Sequence, residues 1–144
     1  VRDGAQVSVK NEGTGNAGML QVNAGEIFLA NLGSITASTA SGNGGNIALE
    51  VNSLQLRRGG AITTTAGGTG NGGNLKINSD IIVALENSDI TANAVQGRGG
   101  NISINTSAIF GAQFRSQETP ESDITASSQF GLSGNVAITN PKVE

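Results

Sequence analysis

The chain is predicted to be all-β: a right-handed parallel β-helix of about five coils of ~27 residues, with three short strands per coil. Three observations predict it. The motif G-x-x-G-[N/M]-φ-x-φ, with φ apolar, starts at Gly15, Gly42, Gly70, Gly97 and Gly131, at spacings of 27, 28, 27 and 34 residues. Aliphatic residues recur at the same period in fixed places. The composition is also not that of an ordinary globular domain. It has 22 Gly, 4 Phe and no Trp, Tyr, His or Cys, with 13% charged residues against about 25% in typical soluble proteins. A disordered chain could share this composition but would lack the regular apolar positions.

The second repeat shows the elements in order. After Gly44-Gly45-Asn46, the run Ile47-Ala48-Leu49-Glu50-Val51 alternates apolar and polar, as a half-buried strand does. A corner at Asn52-Ser53 leads to Leu54-Gln55-Leu56, and Arg57-Arg58-Gly59-Gly60 makes the next corner. Ile62-Thr63-Thr64-Thr65-Ala66 is a third strand rich in β-branched residues, and Gly67, Gly68 and Gly70 close the coil.

Laying the repeats over one another gives columns. Leu20, Ile47, Leu75, Ile102 and Val136 share one position, and Val22, Leu49, Ile77, Ile104 and Ile138 another. Ile27, Leu54, Ile82 and Ile109 align in the second strand, and Val7, Ile35, Ile62, Ile90 and Ile124 in the third. Each column is expected to line the interior, with coils about 4.8 Å apart. Asn46, Asn74, Asn101 and Asn135 form a polar column that Met19 interrupts. Stacked amides can bond from coil to coil, and Asn tolerates left-handed backbone at a corner. The Gly-Gly pairs before them are expected to permit φ > 0 where a Cβ would meet the neighbouring coil. The fourth interval is longer by seven residues (34 against 27), an insertion at about 112–122.

Charge and residue absences narrow the chemistry. The net charge of −3 and eight scattered Lys and Arg give no basic patch for nucleic acid. Without Cys or His there is no disulfide framework and no Cys/His zinc site. The Gly-rich corners lack the Lys-Ser/Thr and following helix of a phosphate loop. Gly67-Gly68-Thr69-Gly70-Asn71-Gly72-Gly73 superficially matches a calcium β-roll repeat, but Gly72 stands where the ligand Asp belongs. No cofactor or metal is expected, and no apolar run approaches the roughly 20 residues of a membrane span.

Three surface features could carry function. Asp89 and Asp123 precede the inward Ile of the third strand in successive coils, about 5 Å apart along the axis. That suits a pair of glycosidase carboxylates, but Asp at a strand start commonly binds backbone amides, so a corner ladder is expected instead. Outward Thr36-x-Ser38, Thr63-x-Thr65, Thr91-x-Asn93 and Thr125-x-Ser127 form an array like that of ice-binding solenoids, degraded by the Ser and Asn departures. Phe28, Gln55, Val83 and Phe110 should point outward from the second strand as an apolar stripe. The inserted loop is expected to lay Phe114 over Phe110 and Val83.

The combination G-x-G-G-N-I-x-I, then Ser88-Asp89-Ile90-Thr91-Ala92-Asn93-Ala94, then Ile109-Phe110-Gly111 resembles the filamentous-haemagglutinin-like exoproteins of two-partner secretion. It is most similar to the long repetitive surface proteins common in cyanobacteria, and Ser122 to Gly134 looks like the last part of their repeat region. The resemblance spans essentially the whole chain, and Ile109 to Asn135 is its specific part. It implies a secreted, cell-surface or extracellular rod, with an outer-membrane transporter as partner of the parent protein only. The absence of Cys suits export unfolded. Residues 1–144 then read as one β-helix segment, a fragment of a longer chain.

The expected function is a structural segment of an adhesin-like or filament protein, not an enzyme. The rivals are a carbohydrate-binding or carbohydrate-active β-helix and an ice-binding solenoid. Val1 matches Leu56, so the chain starts mid-coil, and Asn140-Pro141 is expected to end the last strand. Further coils, or copies stacked end to end, are the expected partners, with a host-cell or surface glycan as an external one.

Overall fold

The computed structural model describes residues 1–139, so the stop expected at Asn140-Pro141 lies outside the described residues. The strands are β1 (Gln6–Asn11), β2 (Met19–Ala30), β3 (Ser34–Thr39), β4 (Asn46–Arg57), β5 (Ala61–Ala66), β6 (Asn74–Ala84), β7 (Asp89–Ala94), β8 (Asn101–Phe110), β9 (Gln113–Phe114), β10 (Asp123–Thr125) and β11 (Asn135–Thr139). All named pairings are parallel. One sheet runs β2-β4-β6-β8-β11 and the other β1-β3-β5-β7-β10-β9, so the chain winds as a β-solenoid. There are about four turns, with β1 and β11 as partial rungs, rather than five.

The first two strands expected in each coil are one. β2, β4, β6 and β8 each run continuously around the corner between the first and second faces. The ladder skips one residue there: Val51 pairs with Ser79 and Ser53 with Ile81, leaving Asn52 and Asp80 unpaired. The inward alternation shifts phase at the same point, from Ile47, Leu49 and Val51 to Leu54 and Leu56. A single skipped residue bends an extended chain without ending it, as a bulge does. Three faces therefore remain, served by two strands per turn.

Every aliphatic column is in register. Leu20, Ile47, Leu75, Ile102 and Val136 are successive partners, as are Ile35, Ile62, Ile90 and Ile124. In the middle turns these side chains are fully buried; each such Leu or Ile is worth about 1.5–3 kcal/mol. They belong to one continuous core.

The glycines before the Asn column serve close approach, not unusual backbone. Gly45, Gly73, Gly100 and Gly134 are absent from the positive-φ residues. A Cβ on Gly73 would instead sit 1.8 Å from the Gly45 carbonyl oxygen, and one on Gly134 1.8 Å from that of Gly100. The Asn column is likewise in strand conformation, not left-handed. The left-handed pairs fall at the second corner: Asp3-Gly4, Asn31-Leu32, Arg58-Gly59 and Glu86-Asn87. Two successive positive-φ residues make a type I′ turn, closed by the Gly33 amide on Ala30 and the Gly60 amide on Arg57.

Candidate functional site

The insertion is the one place where the periodic pattern breaks, and it builds a polar centre on the third face. After Gly111 the chain makes β9, then returns to make β10 between β7 and β9. Gln113 pairs with Asp123 and Phe114 with Ile124, so β9 covers the edge of β10 out of sequence order. This corrects the expected docking of Phe114. It joins the third-face sheet, not the Phe stripe, and remains 58% exposed, while Phe110 is 54% exposed. A strand offered an unpaired edge gains backbone bonds there that a side chain laid over Phe110 would not provide. Phe28, Gln55, Val83 and Phe110 do stack as one outward column on the second face.

Residues 115–122 fold over the outer surface of the third face. Thr91 and Thr125, outward by register, are buried beneath them, and Asn93 donates to Glu118 at 2.7 Å. The threonine array is thus open only on the Thr36 and Thr63 rungs. Asn93 Oδ1 also accepts from Thr125, and from both the amide and hydroxyl of Ser127.

Asp123 anchors the loop. Its side chain has no solvent exposure, and it accepts from Arg115 and from the amide and hydroxyl of Thr119. Arg115 also reaches the Ser122 carbonyl at 3.0 Å and Glu121 at 2.6 Å. Burial alone would raise the Asp123 carboxyl; the bonds from Thr119 and Arg115 together outweigh it and hold the group below its ordinary value. Asp89 Oδ1 accepts the Asp123 amide at 2.9 Å, so this pair is the corner ladder that the spacing predicts. Burial raises the Asp89 carboxyl, and the Asp123 charge adds to it. Glu118 is exposed over much of its surface, yet partial desolvation and then the Asp89 charge raise it.

Chemically, this arrangement can hold a loop, but its central carboxylate cannot reach a substrate. Asp123 is sealed and all its bonds go to the chain itself. Asp89 presents one oxygen inward to the Asp123 amide. The described residues contain no cluster of Asp, Glu, His or Cys arranged to hold a metal ion.

The second polar structure is the corner that closes each turn, where two asparagine columns run side by side. In the column expected from the sequence, Asn46 Oδ1 accepts the Asn74 amide at 3.1 Å, and Asn101 and Asn135 each donate to the Asn below at 3.1 and 3.5 Å. The other column, Asn16, Asn43 and Asn71, escaped sequence reasoning. Asn43 donates its amide to Asn16 Oδ1 at 2.9 Å, Asn71 to Asn43 Oδ1 at 2.8 Å, and Arg98 to Asn71 Oδ1 at 2.7 Å. Its signal was present, since each Asn directly follows the first Gly of the motif and Arg98 continues the row. Between the columns lies an open groove of about 420 Å³.

No family model matches this chain, and neither a curated protein nor a solved structure does.

Proposed function

We propose that the chain is a structural rod segment of a secreted surface or filament protein, and that it carries no catalytic centre. One observation supports this most: same-type residues stack in register through every turn, so the sequence is spent on axial stacking. A solenoid of this kind is self-complementary along its axis, because each turn presents the edge that the next one needs. Its partners in this reading are further coils or copies of the same type. The resemblance to two-partner-secretion exoproteins adds the cell surface as location and an outer-membrane transporter for the parent protein.

Immunogold electron microscopy on the source cells, with antibody against the purified 144-residue chain, tests this directly. Label on extracellular rods or fibres is expected. Label confined to the cell interior would overturn the reading. Hydrolysis assays on a polysaccharide panel are expected to show no turnover; any that disappears in Asp89→Asn would favour the enzymatic rival.

A further inference from the structure

We propose that the groove between the two asparagine columns binds a linear, carboxylate-bearing polysaccharide along the solenoid axis. The fold consumes particular atoms of these columns and leaves others free. A backbone amide can only donate, so the atom that meets the amides of Asn43, Asn71 and Arg98 must be the Oδ1 of the Asn below. The carbonyls of Asn43 and Asn71 accept from Ala17 and Gly44, at 3.1 and 2.8 Å. What these residues leave over is the side-chain NH₂. The Nδ2 groups of Asn16, Asn43 and Asn71 have no protein acceptor among the described residues, and all three side chains are exposed.

The result is a row of donors one rung apart, about 4.8 Å. Arg98 continues the row just beyond the residues that line the groove, with an exposed side chain and no acidic partner among the described residues. The groove lining is Asn, Ala and Gly, without a carboxylate to repel an anion. Donors at a fixed axial repeat suit a polymer with acceptors at a regular repeat, and a guanidinium pairs a carboxylate through two parallel bonds. A nucleic acid fits less well, because it needs several cations and stacking aromatics, and the row has one cation and no ring.

The experiment is calorimetry of the full chain with polygalacturonate, a neutral linear glucan and a single-stranded oligonucleotide as probes. Asn71→Asp keeps the inward oxygen that the Arg98 amide needs and replaces only the outward NH₂ with a carboxylate oxygen. It is expected to keep the fold by circular dichroism and to weaken polygalacturonate binding at least tenfold. Arg98→Gln, whose side chain holds nothing else in the fold, is expected to weaken it several-fold and keeps the test open if N71D folds poorly. Absence of polygalacturonate binding, binding by both variants as tight as by the parent chain, or equal binding of the glucan or the oligonucleotide would each overturn the proposal. None of those results touches the rod reading, which stands on the location of the protein.

Discussion

The regular turns formed by β4–β7 and the irregular turn formed by β8–β10 bury residues in opposite ways. In the regular turns, the interior is an aliphatic ladder, and the corners work because glycine lets one coil lie on the carbonyls of the last. In the irregular turn, the third face is closed from outside by a loop, and what becomes buried there and on the β7 rung next to it is polar: Ser88, Thr91, Ser122, Asp123 and Thr125. The first kind of burial is non-directional and tolerates exchange among aliphatics, but not added backbone bulk. The second stands only while every buried group keeps its partner.

Breaking the regular turns should have the largest effect. Gly73→Ala would force its new carbon into the Gly45 carbonyl, which is backbone and cannot swing away. Chemical denaturation is expected to show a loss of about 3 kcal/mol or more, or no folded protein at all. The paired control is Gly18→Ala, where a Cβ meets nothing within 4 Å. That variant should stay within about 1 kcal/mol of the parent.

Next comes the polar turn. Asp123→Asn leaves the Arg115 guanidinium without its buried partner and is expected to cost about 3 kcal/mol at neutral pH. The dependence on pH sharpens this. Asp123 titrates below its unfolded value, near 3.9, so its contribution is complete above that value and is lost as pH falls further. Asp89 and Glu118 titrate above their unfolded values, so they act the other way, and stability rises as they protonate. Unfolding free energy should therefore pass through a shallow maximum on the acidic side of neutrality and drop below about pH 4. In D123N the rise should persist and most of the drop should vanish. An unchanged acid limb would remove Asp123 from its anchoring role.

The smallest effect reverses the sign. Thr64 points inward between Ala37 and Ala92, in an aliphatic turn, and its buried hydroxyl has no partner among the described residues. Thr64→Val keeps the shape and removes the orphaned group. Thermal denaturation should show a gain of about 1 kcal/mol, where the same exchange at the bonded Thr125 should lose stability.

The same contrast explains what the sequence could tell. Whatever repeats was legible: the columns through Leu20, Ile27 and Ile35, the Asn46 column, and the place of the insertion. The merging of the first two strands was not, because Asn52 reads as a corner whether the chain turns sharply or only skips one pairing. The Asn16 column was visible but silent, since its bonds run to backbone amides and carry no apolar signature. The loop network was illegible because Arg115, Thr119 and Asp123 occur together once, and nothing periodic marks them as a group. The two-residue strand β9 has no pattern at all; it exists because β10 offers an edge.

Coils stack in register at 27 or 28 residues, and the absence of cysteine from the chain allows that register to be measured directly. Ala48 and Lys76 are outward partners in neighbouring rungs, so their Cα atoms lie about 4.8 Å apart, within disulfide range. Oxidation of the variant A48C/K76C is expected to give a quantitative disulfide, with unchanged circular dichroism and a raised Tm. Moving one partner two residues along, in A48C/N78C, should give none. Equal crosslinking of both pairs, or of neither, would contradict the registered solenoid.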